Sequence, residues 1–338
     1  MTRYRSVTII ACMCSLMLSM SAHPASTQSV NDMGYSRGPA GDANQLSFVL
    51  VNGVKLAYRV QGSGLAVVFV HGEGYSHEEW TEQIDAFSHR YQVVSYDRRG
   101  HGLSDDPVTG YSETAHAEDL NALLQYLGIR EAHFVVSSRG GAIIIQFLKL
   151  HGEKVRSITF ADATIPLVPI SDKSAFKPVI PHLKGPPPTL QQALEGRENA
   201  KKSPFTRVAQ SRPETRTILG RMLDQYSPRV VMDPQRLDMS SPTHIGPWND
   251  RDFPDMSKIH QPIFLIVAEL SDIFFKDGAA EADRLWPNTR LLQIPAVDHL
   301  FMLEDPQTFN RVVLDFLAEV DGQIAGRERR SAGSDGSG

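Results

Sequence analysis

The chain predicts an α/β fold built on a mostly parallel sheet. Apolar runs of strand length alternate with segments whose apolar residues recur at helical spacing, and strands that alternate with helices pair in parallel. Several runs end in loops that carry serine, acidic residues or histidine, and the carboxyl ends of parallel strands are where such sheets place ligands. A length of 338 residues with 41% apolar content supports one large core without disulfide staples.

In chain order, residues 1–25 read as an export signal. Arg3 and Arg5 precede an apolar stretch from Val7 to Met20 that is too short to span a bilayer comfortably, and Ser21-Ala22 or Pro24-Ala25 offers small residues for cleavage. Cys12 and Cys14, the only two cysteines, fall inside that stretch, so the mature chain forms no disulfide. Cys12 after Ile9-Ile10-Ala11 is a poorer, lipoprotein-type alternative. Residues 26–44 are polar and read as a flexible lead-in.

Residues 45–163 form the first part of the core. Leu46–Val51 and Val54–Val60 flank Asn52-Gly53, the pair that favours a type I′ hairpin. Ala66–Val70 is a strand running into His71-Gly72-Glu73-Gly74, and Phe134–Val136 is a strand running into Ser137-Ser138-Arg139-Gly140-Gly141. Glu78–Phe87, Ser112–Leu127 and Gly140–His151 have helical spacing. Residues 164–258 break the alternation and hold 14 of the 21 prolines, with helical runs such as Thr215–Tyr226. The second part of the core, 259–321, contains the strand Ile263–Ala268 before Glu269-Leu270-Ser271-Asp272, and Leu291–Ile294 before Pro295-Ala296-Val297-Asp298-His299. Helical runs cover Gly278–Trp286 and Pro306–Val320, and 322–338 is expected to be a disordered tail.

The chemistry centres on Ser138. A serine at a sharp strand-to-helix turn presents its hydroxyl clear of the backbone, and flanking glycines permit the strained turn and close helix packing. Ser137 is the neighbouring alternative, but taking it as the nucleophile would leave Ser138-Arg139, not Arg139-Gly140, after the turn. Serine, acid and histidine follow predicted strands in the order Ser138, Asp272, His299.

With Tyr96-Asp97-Arg98-Arg99-Gly100-His101-Gly102-Leu103-Ser104 and Glu304-Asp305-Pro306, these segments resemble the α/β-hydrolase superfamily over residues 45–320. The resemblance implies an eight-stranded, mostly parallel sheet with helices on both faces, and a largely helical cap over residues 164–258 that shapes the substrate pocket. It implies Ser138 as nucleophile, His299 as base and Asp272 as acid, with Glu269 as the rival acid. The backbone N–H groups of Glu73 and Arg139 are the expected oxyanion donors, and His71 and His101 the expected loop braces. Trp248, Met222 and Phe301 are the pocket candidates. No metal or organic cofactor is required. A serine at the turn argues against epoxide opening and halide displacement, where relatives place a carboxylate.

The expected activity is therefore hydrolysis of a carboxylic ester, lactones included, through a Ser-His-Asp triad and an acyl-enzyme. Carbon–carbon bond hydrolysis, perhydrolysis and plain small-ligand binding are the alternatives. The side chains of Glu73 and Arg139 are expected to bind a polar or anionic substrate group, to form a salt bridge at the pocket wall, or to point to solvent. A net charge of −5 offers no basic face for nucleic acid. His77-Glu78-Glu79-Trp80 lacks the second histidine of a zinc-protease helix. The expected partner is a small ester or lactone, met outside the cytoplasm and without stable membrane association after cleavage of the leader.

Overall fold

The apolar runs pair into one eight-stranded sheet. The structure, a computed structural model, describes residues 46–165, 188–202, 212–233 and 259–334. The strands are β1 (Ser47–Val51), β2 (Val54–Gln61), β3 (Ala66–Val70), β4 (Gln92–Tyr96), β5 (Ala132–Ser138), β6 (Val155–Ala163), β7 (Ile263–Ala268) and β8 (Thr289–Ile294). Their order across the sheet is β1-β2-β4-β3-β5-β6-β7-β8. β2 runs antiparallel to both neighbours, and every other pairing is parallel. The hairpin between β1 and β2 closes at Val51↔Val54, with Asn52 and Gly53 at φ 49° and 75°, the double positive φ of a type I′ turn.

β3 and β7 are buried at every residue, the mark of strands covered on both faces. Alternate side chains of β3 accordingly face two apolar cores. Val68 and Val70 join Leu120 and Leu124 of α2 (Glu113–Tyr126), Ile144 and Phe147 of α3 (Gly140–His151), and Ala279 and Ala282 of a later helix, Ile273–Leu285. Val67 and Phe69 join Ile84 and Phe87 of α1 (Thr81–Ser88), and Phe309, Val313 and Phe316 of the last helix, Pro306–Ser334.

Between β6 and β7 the described residues contain α4 (Leu190–Ala200), α5 (Pro213–Asp224) and α6 (Pro228–Met232). Prolines that break the alternation in sequence here start helices, because a first-turn N–H has no partner to lose. Thr189 and Gln192 form a capping box at α4. The helix Ile273–Leu285 becomes α7, Phe301–Glu304 α8 and Pro306–Ser334 α9.

Three local expectations change. The helix expected from Glu78 starts as a 3-10 turn, His77–Trp80, capped by the Ser76 side chain, before α1 begins at Thr81. α7 begins at Ile273, five residues before the expected Gly278. α9 continues to Ser334, through most of the segment read as a tail, because Ile324 still packs against the core and Gln323 bonds to Glu319 one turn back.

Candidate active site

The turn after β5 carries Ser138 at φ 45°, a left-handed conformation that few non-glycine residues adopt. Its carbonyl accepts the Thr164 N–H at 2.7 Å, and the pairing of β5 with β6 shifts register between Ser137 and Ser138. The glycines around it are required by close approach. A Cβ on Gly140 would stand 2.7 Å from the Val70 carbonyl oxygen, and one on Gly72 would stand 2.8 Å from Ser138 Cβ. Ser138 is partly exposed, whereas Ser137 is buried and its hydroxyl donates to Glu79 Oε1 at 2.6 Å. That bond and the turn geometry separate the two neighbouring serines.

His299 lies in the loop between β8 and α8 and is buried. Its Nδ1 stands 2.6 Å from Asp162 Oδ2, and its ring stacks on Phe275 with centroids 4.6 Å apart and planes at 20°. Asp162 belongs to the last residues of β6, is wholly buried, and has φ 46°. It also accepts the Ser271 hydroxyl and the Ala268 N–H, which hold its carboxylate in place. Burial pulls the His299 pKa down, but the hydrogen bond and charge of Asp162, helped by Glu79 and Asp298, outweigh it and raise the imidazole above its ordinary value.

The acid beside the histidine is thus Asp162 and not the expected Asp272. Asp272 is partly exposed ahead of α7, where its carbonyl accepts the Phe275 N–H. The rival Glu269 is exposed and accepts the Ala296 N–H at 2.7 Å. β6 and β7 are adjacent in the sheet, so their carboxyl ends lie side by side and either can offer an acid. The signal that marks Asp162 is a carboxylate closing the strand run Ile158-Thr159-Phe160-Ala161. Phe275 was likewise not anticipated.

Asp298, which stands directly before the histidine, accepts the His299 N–H at 2.8 Å and gives its own N–H to Glu304. His71 receives the Arg98 N–H on Nε2, leaving Nδ1 to donate to the Gly72 carbonyl. Burial first, then the positive field of Arg98, holds His71 well below the ordinary imidazole range, so it braces the loop as a neutral ring. His101 sits between the Arg99 carbonyl and the Arg98 guanidinium in the same way.

The side chains of Glu73 and Arg139 meet at 3.7 Å, and Arg139 also pairs with Glu113. Glu73 accepts the Tyr226 hydroxyl and lies 3.6 Å from Arg98. Tyr226 follows α5, and Arg221 of α5 holds Glu78 at 2.8 Å, so the inserted helices grip the segment after β3 at two points. Of the pocket candidates, Met222 and Phe301 are buried in the apolar core with Phe69 and Trp80, and Phe301 lies edge-on to Phe309. Trp248 lies outside the described residues. Among the described residues, no group of three or more His, Cys, Asp or Glu is placed to hold a metal ion.

Some relatives match most of the chain, others about a third of it. A non-heme chloroperoxidase from Streptomyces lividans is 26% identical over 280 residues, covering 79% of this chain and 97% of the relative. The structure of Est816, an N-acyl homoserine lactone degrading enzyme, superposes with a TM-score of 0.63 at 26% identity, over 80% of this chain and 100% of the other. The esterase RhEst1 from Rhodococcus sp. ECU1013 shares the fold with a TM-score of 0.65 at 24% identity, over 81% of this chain and 99% of the other. The alpha/beta hydrolase fold family profile matches residues 66–306. With the eight-stranded sheet and strand order above, that match over most of the chain places the protein in the alpha/beta hydrolase fold family.

Proposed function

We propose that this chain is a serine hydrolase of carboxylic esters, lactones included, with Ser138 as nucleophile, His299 as base and Asp162 as acid. The observation that carries the reading is the 2.6 Å pair of Asp162 and His299 Nδ1, formed at the same end of the sheet as the strained Ser138 turn. With Nδ1–H donated to Asp162, Nε2 is left unprotonated to take the Ser138 proton as Oγ attacks the substrate carbonyl. Asp162 then stabilises the imidazolium, which returns the proton to the leaving alcohol. The backbone N–H groups of Glu73 and Arg139 receive the developing oxyanion. Water, deprotonated by the same histidine, releases the acid from the acyl-enzyme.

The likeness to an N-acyl homoserine lactone degrading enzyme and to an esterase supports this class of bond. The ion-paired Glu73 and Arg139 support a role in shaping the pocket wall. The described helices between β6 and β7 act as part of a cap that selects the substrate; much of the expected cap, residues 164–258, lies outside the described residues.

The test is a fluorophosphonate adduct mapped by peptide mass, together with a screen of short esters, aryl esters and lactones. Labelling of Ser138 in the wild type, and loss of both label and turnover in Ser138→Ala, are expected. An unlabelled Ser138 overturns the reading. A second use of the same residues, perhydrolysis, is favoured by the non-heme chloroperoxidase relative. Peracid formation from acetate and hydrogen peroxide in the wild type but not in Ser138→Ala distinguishes it. We also propose that residues 1–25 direct export, which amino-terminal sequencing of the mature protein checks.

A further inference from the structure

Glu79 is wholly buried and has no part in the triad. It lies in the 3-10 turn His77–Trp80 and reaches back across the site with both oxygens. Oε2 accepts the Gly72 N–H at 2.9 Å, and Oε1 accepts the Ser137 hydroxyl at 2.6 Å. Gly72 precedes Glu73, whose N–H is proposed above as an oxyanion donor, and Ser137 precedes the nucleophile. One carboxyl group therefore joins the two backbone segments whose relative position sets the distance from the hydroxyl to the oxyanion site.

We propose that Glu79 is a positioning residue that fixes the oxyanion loop against the nucleophile turn through Gly72 N–H and Ser137 Oγ. The two segments touch, since a Cβ on Gly72 would stand only 2.8 Å from Ser138 Cβ. A small rotation of Gly72 is then felt directly at Ser138, and oxyanion donors act only within a narrow range of distance. Trp80, whose ring lies 4.9 Å from Phe69 on β3, anchors the turn that carries Glu79.

A carboxyl group in this place also acts by charge. The charged groups acting on it are His299 and Arg98 after β4, and the buried phenol of Tyr75 lies in its field; the acids Asp162 and Asp298 act in turn on His299 and Tyr75. Burial pushes Glu79 up to about 7, against the Ser137 and Gly72 hydrogen bonds that favour its ionised form. When ionised it favours the imidazolium of His299. Glutamine keeps an acceptor and the shape but removes this charge, which separates positioning from electrostatics.

The proposal rests on the serine-hydrolase reading, so fluorophosphonate labelling of Ser138 in the wild type is measured first. Failure there overturns that reading and the role of Glu79 with it. With labelling established, kcat, KM and pH profiles on a p-nitrophenyl ester are compared for Glu79→Ala, Glu79→Gln and Ser137→Ala. Glu79→Ala is expected to lower kcat on the order of a hundredfold with little change in KM, as for a lost oxyanion donor. Glu79→Gln is expected to recover most of kcat and to move the acid limb of kcat/KM to lower pH. Ser137→Ala is expected to fall between them. Wild-type kcat in Glu79→Ala overturns the proposal, as does equal loss in Ala and Gln with an unmoved acid limb. If Glu79→Ala does not fold, the Gln and Ser137 variants decide: unchanged kcat in Ser137→Ala with an unmoved acid limb in Glu79→Gln overturns it.

Discussion

In the proposed mechanism Asp162 is the residue on which the site turns, because a buried carboxylate on His299 Nδ1 sets both the tautomer and the basicity of the ring. Asp162→Asn keeps the shape and removes the charge. It is expected to lower kcat on the order of a thousandfold or more, measured at saturating ester. The sign of the pH effect follows from the raised His299 pKa. The proposed base acts when neutral, so activity is expected above its pKa and lost as pH falls through it. The wild-type acid limb is therefore expected above the ordinary imidazole value of about 6.5 and lower in any Asp162→Asn residual activity. Asp272→Asn is expected to leave kcat near that of the wild type.

Glu79 makes a separate prediction about stability. Burial raises it from 4.5 to about 7, so the native state holds a proton that the unfolded chain has already released. Stability linked to this group is fully present below pH 4.5 and declines as pH rises through about 7. The span is on the order of 3 kcal/mol, and urea denaturation at pH 5 and pH 8 is expected to show a smaller difference in Glu79→Gln than in the wild type.

At the scale of elements, the Ser138 turn depends on how closely α3 approaches the end of β3. At Gly140, a Cβ would stand 2.7 Å from the Val70 carbonyl oxygen, a backbone atom inside a fully buried strand that cannot swing aside. Gly140→Ala is expected to cost about 1–3 kcal/mol in urea-measured stability, in the range of other overpacked sites, and to lower kcat by shifting Ser138. The Asn52-Gly53 hairpin is legible in sequence because its reason is local, whereas the contact that requires Gly140 comes from the end of β3, 70 positions earlier in the chain. The boundaries of α7 and α9 were less legible. Their ends are set by which residues find the core, such as Ile324 against the apolar cluster around Phe309 and Phe316, and not by a stop signal in the chain.

At the scale of the whole molecule, the fold class was readable, since strand and helix periodicities alternate and the six apolar runs read as strands between residues 45 and 321 each became a strand of the expected sheet. Ser138 and His299 were readable as site candidates because one closes a strand at a glycine-flanked turn and the other lies in the loop that follows a strand. The acid was not. Asp162 and Asp272 lie 110 positions apart in sequence, yet one closes β6 and the other follows its neighbour β7, at the same rim of the sheet. Glu79 was invisible for a related reason, since its two partners come from the ends of β3 and β5.

The amino-acid sequence by itself determined which segments become strands and helices, because periodicity, caps and turn residues act within a few positions. It also determined where a strained serine turn and a histidine loop occur. Only the tertiary structure decided which carboxylate reaches the histidine and which buried acid ties the two loops together. Those contacts depend on strand order and on side-chain reach across the sheet, and neither distance along the chain nor residue type encodes them.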